Sequence, residues 1–371
     1  MQNRTYQQCS RCVMDTTDPE ITFDSAGICN HCTSLLLKRQ EIKQSRNISA
    51  EHLQALIEKI KRKGRNNKYD VLLGISGGVD SCYVAYLLKQ HGIRTLLVHM
   101  DNGWNSDHAI INIKNVAARL NFDYESFVLD WEEFRDVQLA FLKASVVEAE
   151  TPTDVAILGC LHKVAAKNNI KFIISGGNLA TEGILPAMWH YNAKDTVYFN
   201  HIQKTFGTKK FKAFPDFGFA KEIYYKFVRG IKIIYLLNYF DYNKADAMQL
   251  LEQELKWKKY GGKHHESRFT KFIQSYLLPK KFNLDYRKAT FSSLICDGKM
   301  TREEALLALK EPLFNQEEIE RDKEYIAKKL GITACEFTQI IDLPGKYYYE
   351  YPNDEKRLKF IYKVYKRYFS R

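Results

Sequence analysis

The chain has 371 residues, 45% of them apolar, and a formal charge of +12. That length suits two or three domains with a sizeable core. No apolar run is long enough to span a membrane and MQNRTYQQCSRC has no secretory apolar segment, so the sequence reads as cytoplasmic, with no transmembrane segment. The positive charge is uneven: between Asn200 and Thr290 there are 19 Lys/Arg against 8 Asp/Glu. Such a region attracts an anion, whether RNA, a nucleotide-linked sugar or an acidic partner, or is simply a solvated basic face.

The first element, residues 1–40, contains CSRCVMDTTDPEITFDSAGICNHC. Cys9, Cys12, Cys29 and Cys32 form two Cys-x-x-Cys pairs, the spacing of a structural zinc site with four thiolates and no open position. The alternative is a set of free or redox-active cysteines. His31 lies between two of them and could substitute for a ligand. A ribbon this small depends on metal to fold. Its acidic, turn-rich loop is suited to cover an active-site mouth or to face the basic region. A linking helix is expected over 41–67, with Ser49 as cap and Ile48 and Leu53 at the staple positions.

Residues 68–240 alternate strand and helix, which predicts an α/β fold with a parallel sheet covered by helices on both faces. DVLLGI, RTLLVHM, YESFVLD and KFIIS read as four strands. Helices are expected over SCYVAYLLKQ, closed by Gly92, over 107–120, from Trp131 onward, and over VAILGCLHKVAAKNN with Thr153 or Asp154 as cap. Residues 219–240 are expected to be mostly helix. Residues 241–371 read as a mainly helical region for substrate or partner binding, with a capping box at Thr301 and Glu304. The tail RLKFIYKVYKRYFSR suits an amphipathic helix, packed on the body or touching a membrane surface.

The chemistry concentrates at the carboxyl ends of the strands, the ligand side of an open α/β sheet. LLGISGGVDS turns from the first strand into a helix. Its two glycines allow a tight curl whose N–H groups can cradle phosphate at a helix N-terminus. Ser76, Gly77, Gly78, Asp80 and Ser81 are its core. Ser76 and Ser81 supply hydroxyls, and Asp80 suits Mg²⁺ or loop orientation. No lysine closes the loop and there is no G-x-G-x-x-G, so neither a P-loop kinase-type site nor a dinucleotide fingerprint is supported. A plain Ser/Gly turn is the alternative. Asp101, after the second strand, and SGGNLATEG, with Gly176, Asn178, Thr181 and Glu182, add polar reach. Lys263, His264, His265, Glu266, Arg268 and Lys271 cluster within nine residues. They read as a solvated turn, as phosphate-binding and proton-shuttling groups, or as a His-His-Glu metal site. Cys82 and Cys160 read as core, whereas Cys296 is harder to dismiss.

SGGVDS resembles the pyrophosphate loop of the PP-loop ATP pyrophosphatases, which adenylate an oxygen, release pyrophosphate and let nitrogen or sulfur displace AMP. The resemblance implies ATP and Mg²⁺ as cofactors, with Ser76–Ser81 on the β,γ-pyrophosphate, Asp101 near adenosine, and Asp80 and Glu182 on the metal. The cysteine segment, this loop and YGGKHHESRFTKFIQSYLLPKKFNLDYRKATFSSLICDGKMTREEAL together resemble the N-acetyl sugar amidotransferases of bacterial O-antigen and nonulosonic-acid synthesis, over nearly the full length. That family turns a sugar acetamido group into an acetamidino group with a HisH-like glutaminase partner. Catalytic roles then fall to Asp80, Lys263, His264, His265 and Arg268. Residue 2 is Gln and there is no G-x-C-x-G elbow, so ammonia is expected from a separate subunit. Two other readings stand beside it: a tRNA-thiolating PP-loop enzyme, and a zinc-ribbon nucleic-acid-binding protein.

Overall fold

A computed structural model describes residues 5–46, 50–259 and 266–369. One parallel sheet contains β1 (Val71–Gly74), β2 (Thr95–Asp101), β3 (Asp123–Val128), β4 (Phe172–Ser175) and β5 (Lys232–Tyr235), in the order β3-β2-β1-β4-β5. Successive strand residues leave opposite faces, so each strand feeds two cores. Leu72, Leu96, Val98 and Ile173 enter one core, with the helices Trp131–Ala144 and Thr151–Lys167 and much of the C-terminal region. Val71, Leu73, Leu97 and Ile174 enter the other, with the helices Val79–Gln90, Asp107–Leu120 and Lys244–Leu255. Burial on both faces explains the continuous apolar run of β1.

The α/β fold with helices on both faces, the cysteine cluster before it and the helical C-terminal region agree with the sequence reading. Two local expectations, for residues 219–240 and for the cap at Thr153 or Asp154, are refined. The helix after Gly78 ends at Gln90, and Gly92 takes φ +62 just beyond it, as a helix stop does. Residues 219–240 are only partly helical: Phe219–Ile223 is followed by a π turn, and Lys232–Tyr235 then pairs with β4. Ile233 and Ile234 suit a strand. The free edge of β4 decides the matter, and no local window contains it. Thr153 and Asp154 are not caps, because their helix opens at Thr151 with Glu150 at the N-cap and Pro152 in the first turn. Ser49 and Ile48 lie outside the described residues; the helix after them runs Ala50–Gly64.

The capping box forms as read. Glu304 N donates to Thr301 Oγ1 at 3.1 Å, and Thr301 N donates to Glu304 Oε2 at 2.7 Å. The tail helix Glu355–Phe369 rests on the body through buried Leu358, and the Tyr362 hydroxyl donates to Glu222 at 2.9 Å. Thr301→Ala is expected to lower stability by about 1 kcal/mol in denaturant titration. An unchanged midpoint would mean that the box contributes nothing.

Candidate active site

β1 pairs with β2 on one side and with β4 on the other, so the chain leaves β1 in opposite directions. A crevice opens at this reversal, above the carboxyl ends of the strands. The loop Ser76–Ser81 enters it from β1. Gly77 has φ +83, and a Cβ there would lie 2.4 Å from the Ala109 carbonyl oxygen, so only glycine fits. Gly78 starts the helix Val79–Gln90 with extended backbone. The hydroxyls of Ser76 and Ser81 lie 3.3 Å apart, Gly78 N donates to Ser76 Oγ at 3.3 Å, and Ser81 Oγ donates to the Gly78 carbonyl at 3.2 Å. The loop is therefore tied internally.

Distant residues tie it externally. Trp257 Nε1 donates to the Gly77 carbonyl at 2.9 Å. Asn112 Nδ2 reaches the same carbonyl at 3.5 Å and exchanges two hydrogen bonds with the Lys258 backbone. The Tyr242 hydroxyl donates to Asp80 Oδ1. Burial, then the Asp80 charge, pushes the Tyr242 phenol above its ordinary range, so it stays a neutral donor. Tyr242, Asn112 and Trp257 carry no motif, and sequence reading missed them.

From β4 comes the second wall. A Cβ on Gly176 would lie 2.9 Å from Ser81 N, so the two loops touch through backbone. Ser76, Gly78, Asp80, Ser81, Gly176 and Glu182 meet around one cavity of about 690 Å³. Asp154, Lys244, Lys259 and Glu266 also line it. Other expected residues have different positions. Asn178 caps the short helix Leu179–Glu182: its Oδ1 accepts from Thr181 N at 3.0 Å and Thr181 Oγ1 at 3.2 Å. Asp101 Oδ1 accepts from Gly103 N at 2.8 Å and Asn105 Nδ2 at 3.2 Å, and Asp101 is not among the walls of this cavity. Arg268 turns away, to an ion pair with buried Asp322 at 3.2 Å and a stack on Tyr325 at 4.1 Å. Buried Asp322 needs a cation, and Arg268 and Lys271 supply it. Lys263, His264 and His265 lie outside the described residues. Lys259 and Glu266, on either side of them, both line the cavity.

A second cavity of about 640 Å³ shares Glu182 with the first. Its other walls include Gln274, Ser275, Tyr286, Thr290 and Phe291, mostly from the C-terminal region.

The cysteine ribbon packs behind this second cavity. The Sγ atoms of Cys9, Cys12, Cys29 and Cys32 all lie within 4.8 Å of one another, and all four residues are buried. Cys12 and Cys29 sulfurs are 3.7 Å apart, close to the edge of a tetrahedron with metal–sulfur bonds of about 2.3 Å. Backbone N–H groups of Cys12 and Cys29 point at Cys9 Sγ from 3.4 and 3.3 Å, which suits thiolate. The set fits one metal ion in a closed site. His31 is not among the clustered groups, and its Nε2 meets Asp18 at 2.6 Å. Cys296 Sγ lies 3.6 Å from Cys32 Sγ, outside the tetrad.

The ribbon grips the helix Tyr286–Cys296, which lines the second cavity. Val13 N donates to Ser292 Oγ at 3.2 Å, Lys288 meets Asp15 at 2.6 Å, and Arg302 Nε donates to the Cys12 carbonyl at 3.1 Å. Metal removal by a chelator is therefore expected to weaken amide protection of Tyr286–Cys296 roughly tenfold or more while sparing Val79–Gln90. Equal loss in both helices, read by hydrogen exchange, would show that the metal supports the whole fold instead.

Two family models match separate stretches. Residues 67–182 match the thiamine biosynthesis protein (ThiI) model, and residues 266–366 match the C-terminal domain of LPS biosynthesis protein WbpG-like proteins. The chain is 37% identical over 97 residues to a tRNA-specific 2-thiouridylase MnmA of Helicobacter hepaticus, covering 25% of this chain and 28% of that protein. It is 37% identical over 70 residues to a tRNA(Ile)-lysidine synthase of Chlamydia pneumoniae, covering 18% and 22%. The chain thus spans less than a third of either relative. Among solved structures, the U34-tRNA thiolase NcsA of Methanococcus maripaludis with its 4Fe–4S cluster aligns with 16% identity over 79% of this chain and 87% of that one, TM-score 0.34. The NH3-dependent NAD synthetase of Campylobacter jejuni aligns with 17% identity over 74% and 92%, TM-score 0.32. A ThiI-like segment and a WbpG-like C-terminal domain thus stand in one chain, which supports the resemblance to N-acetyl sugar amidotransferases within the PP-loop superfamily.

Proposed function

We propose that the protein is an ATP-dependent amidotransferase that converts the acetamido group of an N-acetylated, nucleotide-linked sugar into an acetamidino group. The observation that carries this reading is the shared wall: Glu182 belongs both to the phosphate-loop cavity and to the cavity walled by the WbpG-like region. A nucleotide in the first and a sugar in the second can meet there.

The acetamido oxygen attacks the α-phosphorus of ATP, and the bond to pyrophosphate breaks. The leaving pyrophosphate remains on the N–H groups of Ser76–Ser81, at the positive end of the helix Val79–Gln90. Lys244 and Lys259, both cavity walls, offset its charge. Asp80 and Glu182 would hold Mg²⁺, which supplies further charge neutralisation when bound. Ammonia adds to the activated carbon and the C–O bond breaks, releasing AMP. Holding both substrates in adjoining cavities supplies the alignment. Ammonia comes from a separate HisH-like glutaminase subunit. The tetrad holds structural Zn²⁺.

The relatives over the nucleotide segment favour a second reading, tRNA modification. Sulfur chemistry needs a reactive thiol, and no cysteine lines either cavity among the described residues. Burial pushes the Cys160 thiol up to about 12 and raises that of Cys82 as well. Among the described residues, no helix is long and apolar enough to cross a membrane.

Incubation of candidate N-acetylated nucleotide sugars with Mg·ATP and ammonium is expected to give AMP, pyrophosphate and a product about 1 Da lighter, NH having replaced O. No mass change across the panel, together with tight RNA binding that falls steeply with salt, would favour the second reading. Tyr242→Phe removes the donor to Asp80 and is expected to slow pyrophosphate release about tenfold or more, equivalent to about 1.5–3 kcal/mol. An unaltered rate would exclude Asp80 orientation from the mechanism.

A further inference from the structure

A third cavity, of about 300 Å³, lies between the other two. It shares Asp154 and Ile157 with the phosphate-loop cavity, and Leu185, Gln274 and Tyr286 with the second cavity. Its charged walls are all acidic, whereas both neighbours mix acidic and basic side chains. Glu148, Glu150 and Asp154 line it, and no Lys or Arg does, whereas Lys244 and Lys259 line one neighbour and Lys271 and Arg287 the other. His190, also a wall, is held below its ordinary range by burial and adds no fixed positive charge near neutral pH.

Two buried polar atoms of these wall residues have no well-aligned hydrogen-bond partner among the described residues: Trp189 Nε1, a donor, and Glu148 Oε1, an acceptor, although the backbone N–H groups of Glu148 and Tyr191 also bear on that carboxylate. Glu148 is 4% exposed and Trp189 1%. Buried polar groups are normally satisfied, so an open donor and an open acceptor on one cavity call for a guest that can both accept and donate. The other Glu148 oxygen accepts from the Tyr198 hydroxyl at 3.2 Å, which fixes the carboxylate.

We infer that this cavity is a chamber for ammonium and ammonia, placed between nucleotide and sugar. The inference rests on the reading that ammonia is the nucleophile. Three carboxylates with no lysine or arginine among them suit ammonium and would repel a phosphate. Ammonium passes one proton to the Glu148 carboxylate, and the N–H bonding pair becomes the lone pair of ammonia. That lone pair accepts from Trp189 Nε1–H while a remaining N–H donates to Glu148. The neutral nitrogen then moves to the activated carbon. Burial raises the Glu148 carboxyl to about 7, so it can take a proton near neutral pH.

Glu148→Gln keeps an acceptor for Tyr198 and removes the charge; Trp189→Phe keeps the ring against Tyr286 and removes the donor. Both variants are assayed with ammonium chloride as nitrogen source. Each is expected to raise the KM for ammonium about tenfold or more while the KM for ATP stays within about twofold. A KM for ammonium unchanged in both variants overturns the chamber. A second measurement does not need turnover: crystals of the full chain are soaked in thallium(I), which is close to ammonium in size and charge. Anomalous density among Glu148, Glu150 and Asp154, displaced by ammonium chloride, is expected, and thallium found only elsewhere overturns the chamber. If no sugar yields an amidine, the amidotransferase reading fails, and the thallium result alone still decides whether the cavity takes such a cation.

Discussion

The backbone of Gly176 lies against the backbone of Ser81, so closely that a methyl group on Gly176 would collide with the Ser81 nitrogen. Much of the site depends on that contact. It brings the loop after β4 over the loop after β1 and so sets the width of the crevice at the strand reversal. It also carries Glu182 to the boundary between two cavities. Gly77 makes a comparable approach on the other side, against Ala109. The loop Ser76–Ser81 is thus wedged between two neighbouring segments, and it lines a cavity without a lysine to close the motif.

The ribbon acts at a distance from that crevice. Its four cysteines are buried and suit a closed metal site, which has no open position for a reactant. Its contacts run instead to Ser292, Lys288 and Arg302, and Leu35 packs close to Gly183 beside the short helix that ends at Glu182. The ribbon therefore buttresses both sides of the second cavity. Cys296 fits this picture: its sulfur packs on Cys32 at the end of the helix the ribbon grips, so it joins two structural parts.

The strands with continuous apolar runs were legible because burial on both faces leaves no other composition. So were Ser76–Ser81, the tetrad and the capping box, each carried by residues close in sequence. β5 was not legible, since its partner is the exposed edge of β4. Asp101 and Asn178 were read as facing a ligand. Short Asp and Asn side chains also bond their own neighbouring backbone, and both do so here. Arg268 pairs with Asp322, which is buried and must be paired, and no local window shows that partner. Tyr242 and Trp257 hold the loop from 162 and 180 residues away and Asn112 from 35, and only the tertiary fold brings them there.

The hydrogen bond from Val13 to Ser292 spans 279 residues, and the one from Arg302 to Cys12 spans 290. During synthesis the ribbon leaves the ribosome long before the helix that will cover it. At a translation rate of about 5–20 residues per second, its inner face waits on the order of tens of seconds for that partner. Over that interval the four thiolates can recruit metal from one compact hairpin, with no help from the rest of the chain. The ribbon can thus be loaded early and docked late, so that arrival of the C-terminal region completes the second cavity.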